Sequence, residues 1–66
     1  MEILLNGERK KLNGGMTVED LLKDLGIDPA AVVVERNLSI LNRKDHGVQS
    51  LSDGDTVEII QMVDGG

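Results

Sequence analysis

Not one phenylalanine, tyrosine, tryptophan or cysteine occurs in this chain. Without aromatic rings the interior has to be assembled from Leu, Ile, Val, Met and Ala, within a composition that is 39% hydrophobic. In 66 residues such a core lies near the lower end of what folds without a metal or crosslink, because a short chain buries a smaller fraction of its surface. A second domain is excluded, and a stability of a few kcal/mol is expected. The missing cysteine removes several chemistries together. There is no disulfide framework, no thiolate nucleophile and no zinc-ribbon spacing, and sulfur cannot travel on the protein as a persulfide.

Long apolar runs are also absent, and Met1 is not followed by the basic and apolar regions of a secretory signal. With no disulfides to require an oxidising compartment, the expectation is a soluble, cytoplasmic protein. Positive charge is scarce. Seven Lys and Arg against twelve Asp and Glu give a formal charge of −5, which repels phosphate backbones and favours partners that present a basic face. Nucleic acid and membrane are not expected partners.

Catalytic constellations are missing as well. No Ser-His-Asp arrangement is supported by spacing, and no lysine-containing phosphate loop lies between a strand and a helix. Gly14 and Gly15 precede a helix but follow a hairpin pattern, so they read as a structural turn. His46 is the sole histidine and has Asp45 beside it in a polar stretch. With no second His or Cys to share a metal, it reads as a solvated loop residue. No catalytic residue, metal site or bound cofactor is expected.

What is present is a compact succession of elements. Glu2 to Leu5 is apolar enough for a strand, Asn6 and Gly7 suit the positive φ angles of a type I′ turn, and Glu8 to Leu12 forms the return strand. After the glycines, Thr17 is placed to cap a helix whose apolar face is Val18, Leu21, Leu22 and Leu25. Glu19 and Asp20 favour its first turn, Lys23 lies toward its end, and Gly26 suits a C-terminal cap. Pro29 follows in a turn. Val32, Val33 and Val34 then predict a strand covered on both faces. Asn37 to Ser39 reads as a turn, Ile40 to Asn42 as a short strand, and Arg43 to Ser50 as irregular with room for a helical turn. Asp53, Gly54 and Asp55 form a sharp turn before the last strand, Thr56 to Val63, which is predicted to be central. The order fits an α+β fold with one helix over one face of a mixed sheet.

The most informative feature is the ending. Val63, Asp64, Gly65 and Gly66 follow that apolar strand. Residues without a Cβ adopt extended or left-handed backbone alike and can thread a channel too narrow for any side chain. A carboxylate delivered in this way can be reacted upon. Val57, Ile59, Ile60, Met62 and Val63 supply core, with a part available as an exposed docking patch next to the tail; Glu58, Asp53, Asp55 and Asp64 concentrate negative charge nearby.

The element order, the length, the Asp53-Gly54-Asp55 turn and the terminal Gly65 and Gly66 together resemble the ubiquitin-like β-grasp sulfur carriers, over the whole chain. Within that MoaD/ThiS superfamily the chain looks most like the ThiS family of thiamine biosynthesis, through its compactness and the segment Val33 to Arg43 with its Glu-Arg-Asn turn. Two positions depart from the family pattern: Asp64 replaces a small or apolar residue before the glycines, and Asn42 replaces a proline before Arg43. The resemblance implies a β-grasp domain over 1–63 with four to five strands and one main helix, and a flexible Gly-Gly tail over 64–66.

It also implies a chemistry. A carboxylate is a poor electrophile, so sulfur attachment requires a leaving group on Gly66. A separate ThiF-type adenylyltransferase, related to ubiquitin-activating enzymes, would consume ATP to make the Gly66 acyl-adenylate. A sulfur donor enzyme would displace AMP, and the thiocarboxylate would deliver sulfur to a ThiG-type thiazole synthase. The chain would then be a co-substrate and not an enzyme. Asp64 and Gly65 would thread the tail, and Glu58, Ile60 and Met62 would dock partners. The small subunit of molybdopterin synthase would use the same chemistry; a ubiquitin-like protein modifier and a β-grasp binding module are the readings from other classes.

Overall fold

A computed structural model of the protein describes residues 1–62; Val63, Asp64, Gly65 and Gly66 lie outside the described residues. Five strands and one helix are present: β1 Glu2–Leu5, β2 Glu8–Lys11, α1 Val18–Leu25, β3 Val32–Arg36, β4 Ser39–Leu41 and β5 Thr56–Gln61. Short 3-10 turns occupy Pro29–Ala31 and Arg43–Asp45. The strands form one mixed sheet in the order β2-β1-β5-β3-β4, so the last strand is its centre, as expected.

Local chemistry accounts for most of this. Asn6 and Gly7 both take positive φ, 49° and 83°, and close the β1-β2 hairpin as a primed turn. The Asn6 side chain then accepts from the Ile59 N–H at 2.8 Å, which fastens the hairpin to β5. Thr17 caps α1 through a reciprocal box: its hydroxyl accepts from the Asp20 N–H at 3.1 Å, and its own N–H donates to the Asp20 carboxylate at 3.0 Å. Those Thr17 hydrogen bonds hold the Asp20 carboxyl below its ordinary range. Gly26 ends the helix in the left-handed region, φ 70°.

Val18, Leu21 and Leu22 of α1 pack on Ile3, Val34 and Val57, one residue from each of β1, β3 and β5, with Leu12 and Leu51 closing the margins. Full burial of an aliphatic side chain of this size is worth about 1.5–3 kcal/mol, so this small set carries the stability of the domain. The valine run departs from expectation. Val32 and Val34 enter the core, but Val33 points to the opposite side and is only half-buried. Nothing among the described residues covers that second face, so continuous apolarity here marks a strand with one open side. The short strand after the turn is Ser39–Leu41, and the last strand ends at Gln61. β2 is assigned to Lys11, and Leu12 continues its pairing by exchanging backbone hydrogen bonds with Met1 at 2.8 and 3.0 Å while its side chain enters the core.

One turn joins three strands. The Glu2 N–H donates to the Asp53 carboxylate at 2.7 Å and the Gly54 N–H donates to the Glu2 carbonyl at 2.8 Å, which ties the turn to β1. Asp55 faces the other way. Its Oδ2 accepts from Arg36 Nη2 at 2.8 Å and Nε at 2.9 Å and from the Ser52 N–H at 2.8 Å, while Oδ1 accepts from Asn37 Nδ2 at 3.1 Å. Burial pushes the Asp55 carboxyl up, but the Ser52 N–H, the Asn37 amide and the Arg36 guanidinium outweigh it and hold the group below its ordinary value. A depressed carboxyl contributes stability that is complete above the ordinary value of 3.8 and is lost as pH falls below it. Replacing Asp55 by Ala should cost about 1–3 kcal/mol, because the Ser52 N–H, the Asn37 amide and the part-buried Arg36 guanidinium lose their shared acceptor. Asp55→Asn should flatten the acid limb of a plot of melting temperature against pH; a variant with the wild-type acid limb would contradict this assignment.

Candidate functional site

β5 lies between β1 and β3, but its pairing with β1 stops at Val57 and its end is held by the β3 side. Gln61 is paired with Val32 across the β3-β5 ladder, and the Met62 N–H donates to the Ala31 carbonyl at 2.9 Å. The root of the C-terminal segment is thereby fixed beside the Pro29–Ala31 turn. The sequence-predicted Asp64, Gly65 and Gly66 lie beyond it, outside the described residues. A cleft of about 600 Å³ opens on the helix side of this end, between Leu5, Leu25, Ile27, Ile59 and Gln61. Its apolar lining offers no convergent set of acids and bases.

The predicted docking residues separate cleanly from the core. Val57 is fully buried and Ile59 packs against the core, whereas Ile60 and Met62 are 44% and 51% exposed. Glu58 is exposed on the same side of the strand as Ile60. Sequence reasoning missed the neighbours that complete this face. Val33 is opposite Ile60, and Glu35 is opposite Glu58 on one side and Ile40 on the other. Met62 shares a shallow cleft with Val33 and Ile40. The result is an apolar surface of Leu4, Val33, Ile40, Ile60 and Met62 around two glutamates. No cation pairs with Glu35 or Glu58 among the described residues.

His46 corrects the sequence reading. It is 4% exposed, not solvated, and its carbonyl accepts the Glu19 N–H at the start of α1, 2.9 Å away. The cause is a tertiary contact: the 3-10 turn Arg43–Asp45 folds the segment against the helix, and the Glu19 carboxylate lies over Gly47 where a Cβ would otherwise stand. Gly47, directly after the histidine, was the available sign of that approach. The His46 Nδ1 has no hydrogen-bond partner among the described residues. Among the described residues no group of three or more His, Cys, Asp or Glu is placed to hold a metal ion.

A five-stranded mixed sheet in this order, crossed by one helix and ending on its central strand, defines the ubiquitin-like β-grasp class. The crystal structure of the thiamine biosynthesis protein ThiS from Geobacter metallireducens matches it with a TM-score of 0.84 at 30% identity, covering 100% of both chains. The sulfur carrier protein ThiS of Escherichia coli (strain K12) is 30% identical over 66 residues, again the whole of each. A thiazole synthase of Paramagnetospirillum magneticum is 41% identical over 66 residues; there this chain spans only 20% of the relative's length. The model of the ThiS family matches residues 3–66, and the chain belongs to that family.

Burying an unpartnered imidazole nitrogen costs stability, whereas an apolar side chain of similar size removes the unsatisfied group. His46→Leu should therefore unfold at the wild-type temperature or above it. A marked fall in the melting temperature would show that the imidazole makes a bond that stabilises the native state.

Proposed function

We infer that this chain is a sulfur carrier protein of thiamine biosynthesis, acting as a co-substrate through the carboxylate of Gly66. The observation that supports this most is the position of the ending: in a ThiS-family chain matched through residue 66, the two glycines follow the central strand at a root pinned by Ala31. A rigid body presents a segment whose last two residues have no side chain to obstruct entry into a partner's active site.

The chemistry follows from the carboxylate. A ThiF-type adenylyltransferase uses ATP to convert Gly66 to an acyl-adenylate with release of pyrophosphate. Sulfur supplied by a donor enzyme at the sulfide level, as hydrosulfide, attacks the acyl carbon and expels AMP, and loss of its proton leaves a thiocarboxylate. That group passes its sulfur to a thiazole synthase of ThiG type. The chain has no cysteine and uses no side-chain nucleophile of its own in these steps. Thiamine is favoured over molybdopterin because the relatives and structures described above carry thiamine-pathway names.

Docking falls to the open face of the sheet beside the tail root. Like charges directly opposite one another in a sheet are destabilising, and Glu35 and Glu58 face each other without a cation. A basic side chain from a partner would relieve that repulsion within an apolar surround, giving specificity and faster encounter. The cytoplasm is the compartment consistent with a cysteine-free carrier of this chemistry.

Removing Gly66 should abolish thiazole formation in a reconstituted system of adenylyltransferase, sulfur donor and synthase while leaving the melting temperature unchanged. Sulfur delivery by the shortened chain would end this reading. Glu58→Gln should raise stability by a few tenths of a kcal/mol, weaken partner binding and reduce its salt dependence. An unchanged salt dependence would remove Glu58 from the interface.

A further inference from the structure

The hairpin between β3 and β4 turns on Asn37 and Leu38, both in the left-handed region at φ 51° and 70°. Asparagine tolerates this conformation, and here its side chain is occupied: Asn37 Nδ2 donates to Asp55 and Oδ1 accepts from the Thr56 N–H at 2.9 Å. Leucine has no such compensation, because its Cβ crowds the following carbonyl when φ is positive. Leu38 is also 89% exposed, the highest value among the large apolar side chains of the described residues. The chain uses the unstrained solution elsewhere, since Gly7 occupies the matching place in the β1-β2 hairpin. Strain and apolar exposure thus coincide at one side chain that takes no part in the core. Residues held in this way point to a contact made outside the isolated fold.

We propose that Leu38 is an anchor that inserts into an apolar socket on the thiazole synthase, holding the far end of the carrier while the tail occupies the active site. This rests on the carrier role inferred above. β3 runs antiparallel to β5, so the Asn37-Leu38 turn lies at the opposite end of the sheet from the tail root, roughly 16 Å away along the strand. Two contacts that far apart fix the orientation of a small body, which a tail alone cannot do. The tip is continuous with the open face through Ile40, two residues on and 70% exposed. The synthase is the occupant because a segment like this one makes up a fifth of a thiazole synthase, at 41% identity, against 30% for the separate carrier of Escherichia coli. A body resembling this chain is there part of the synthase's own polypeptide.

The test compares full-length wild type, Leu38→Gly and Leu38→Met in three measurements: melting temperature, thiocarboxylate formation by adenylyltransferase with ATP and sulfide, and titration against purified thiazole synthase. Leu38→Gly should melt a few degrees higher, be loaded at the wild-type rate and bind the synthase roughly tenfold more weakly. Leu38→Met, which keeps an apolar side chain, should bind within about twofold of wild type, the tolerance of a volume-conserving swap. Wild-type affinity in Leu38→Gly would overturn the anchor, and so would slowed loading with unchanged synthase affinity. Wild type that is loaded but does not bind the synthase would also overturn it, leaving the carrier role intact; wild type that cannot be loaded would remove the carrier role itself.

Discussion

The turn Asp53-Gly54-Asp55 is the constraint on which the arrangement depends. Its first two residues grip Glu2 of β1, and its third is clasped by Arg36 and Asn37 at the end of β3. β5 is therefore inserted between strands distant in sequence with its register already set at its first residue. A one-residue slip would exchange Val57 and Ile59 with Glu58 and Ile60, bringing a glutamate into the core. The same register decides where β5 ends, so the Arg36–Asp55 pair at one end of the strand also sets the place of Gln61 and Met62 at the other. Buried charge is an expensive way to stabilise a small protein. Its use here is consistent with a demand for one register over maximal stability.

The two faces of the sheet then divide the work. One is closed by α1, whose cap box and glycine stop fix a short helix over Ile3, Val34 and Val57. The other remains open and carries apolar residues around the opposed Glu35 and Glu58. A core made only of aliphatic side chains has little to spare. Exposed Ile40, Ile60 and Met62, unfavourable charge opposition and a left-handed Leu38 are therefore costs that a partner-free function would not explain.

Much of this was legible in the sequence because it is encoded locally. Asn6-Gly7, Thr17 and Gly26 each specify a backbone state through their own chemistry, and the structure uses each as expected; the reciprocal bond from Asp20 to the cap was not anticipated. The centrality of β5 was legible from its apolarity. What local pattern cannot carry is which face of an apolar strand is covered. Val33 read as buried on the same grounds as Val32 and Val34, and only the presence of a single helix leaves it half-open. The opposition of Glu35 to Glu58 depends on strand register, and the burial of His46 on a contact between its segment and a helix far upstream in the chain. The ending lies outside the described residues, and the chemistry proposed for it rests on residue type and position, not on packing.

The most direct test of the account is the intact mass of the full chain after incubation with ATP, a cognate adenylyltransferase and a sulfide source. A sulfur carrier should gain the mass that matches replacement of one oxygen by sulfur, located at Gly66 by fragmentation. An unchanged mass in the presence of an enzyme shown to be active would contradict that role.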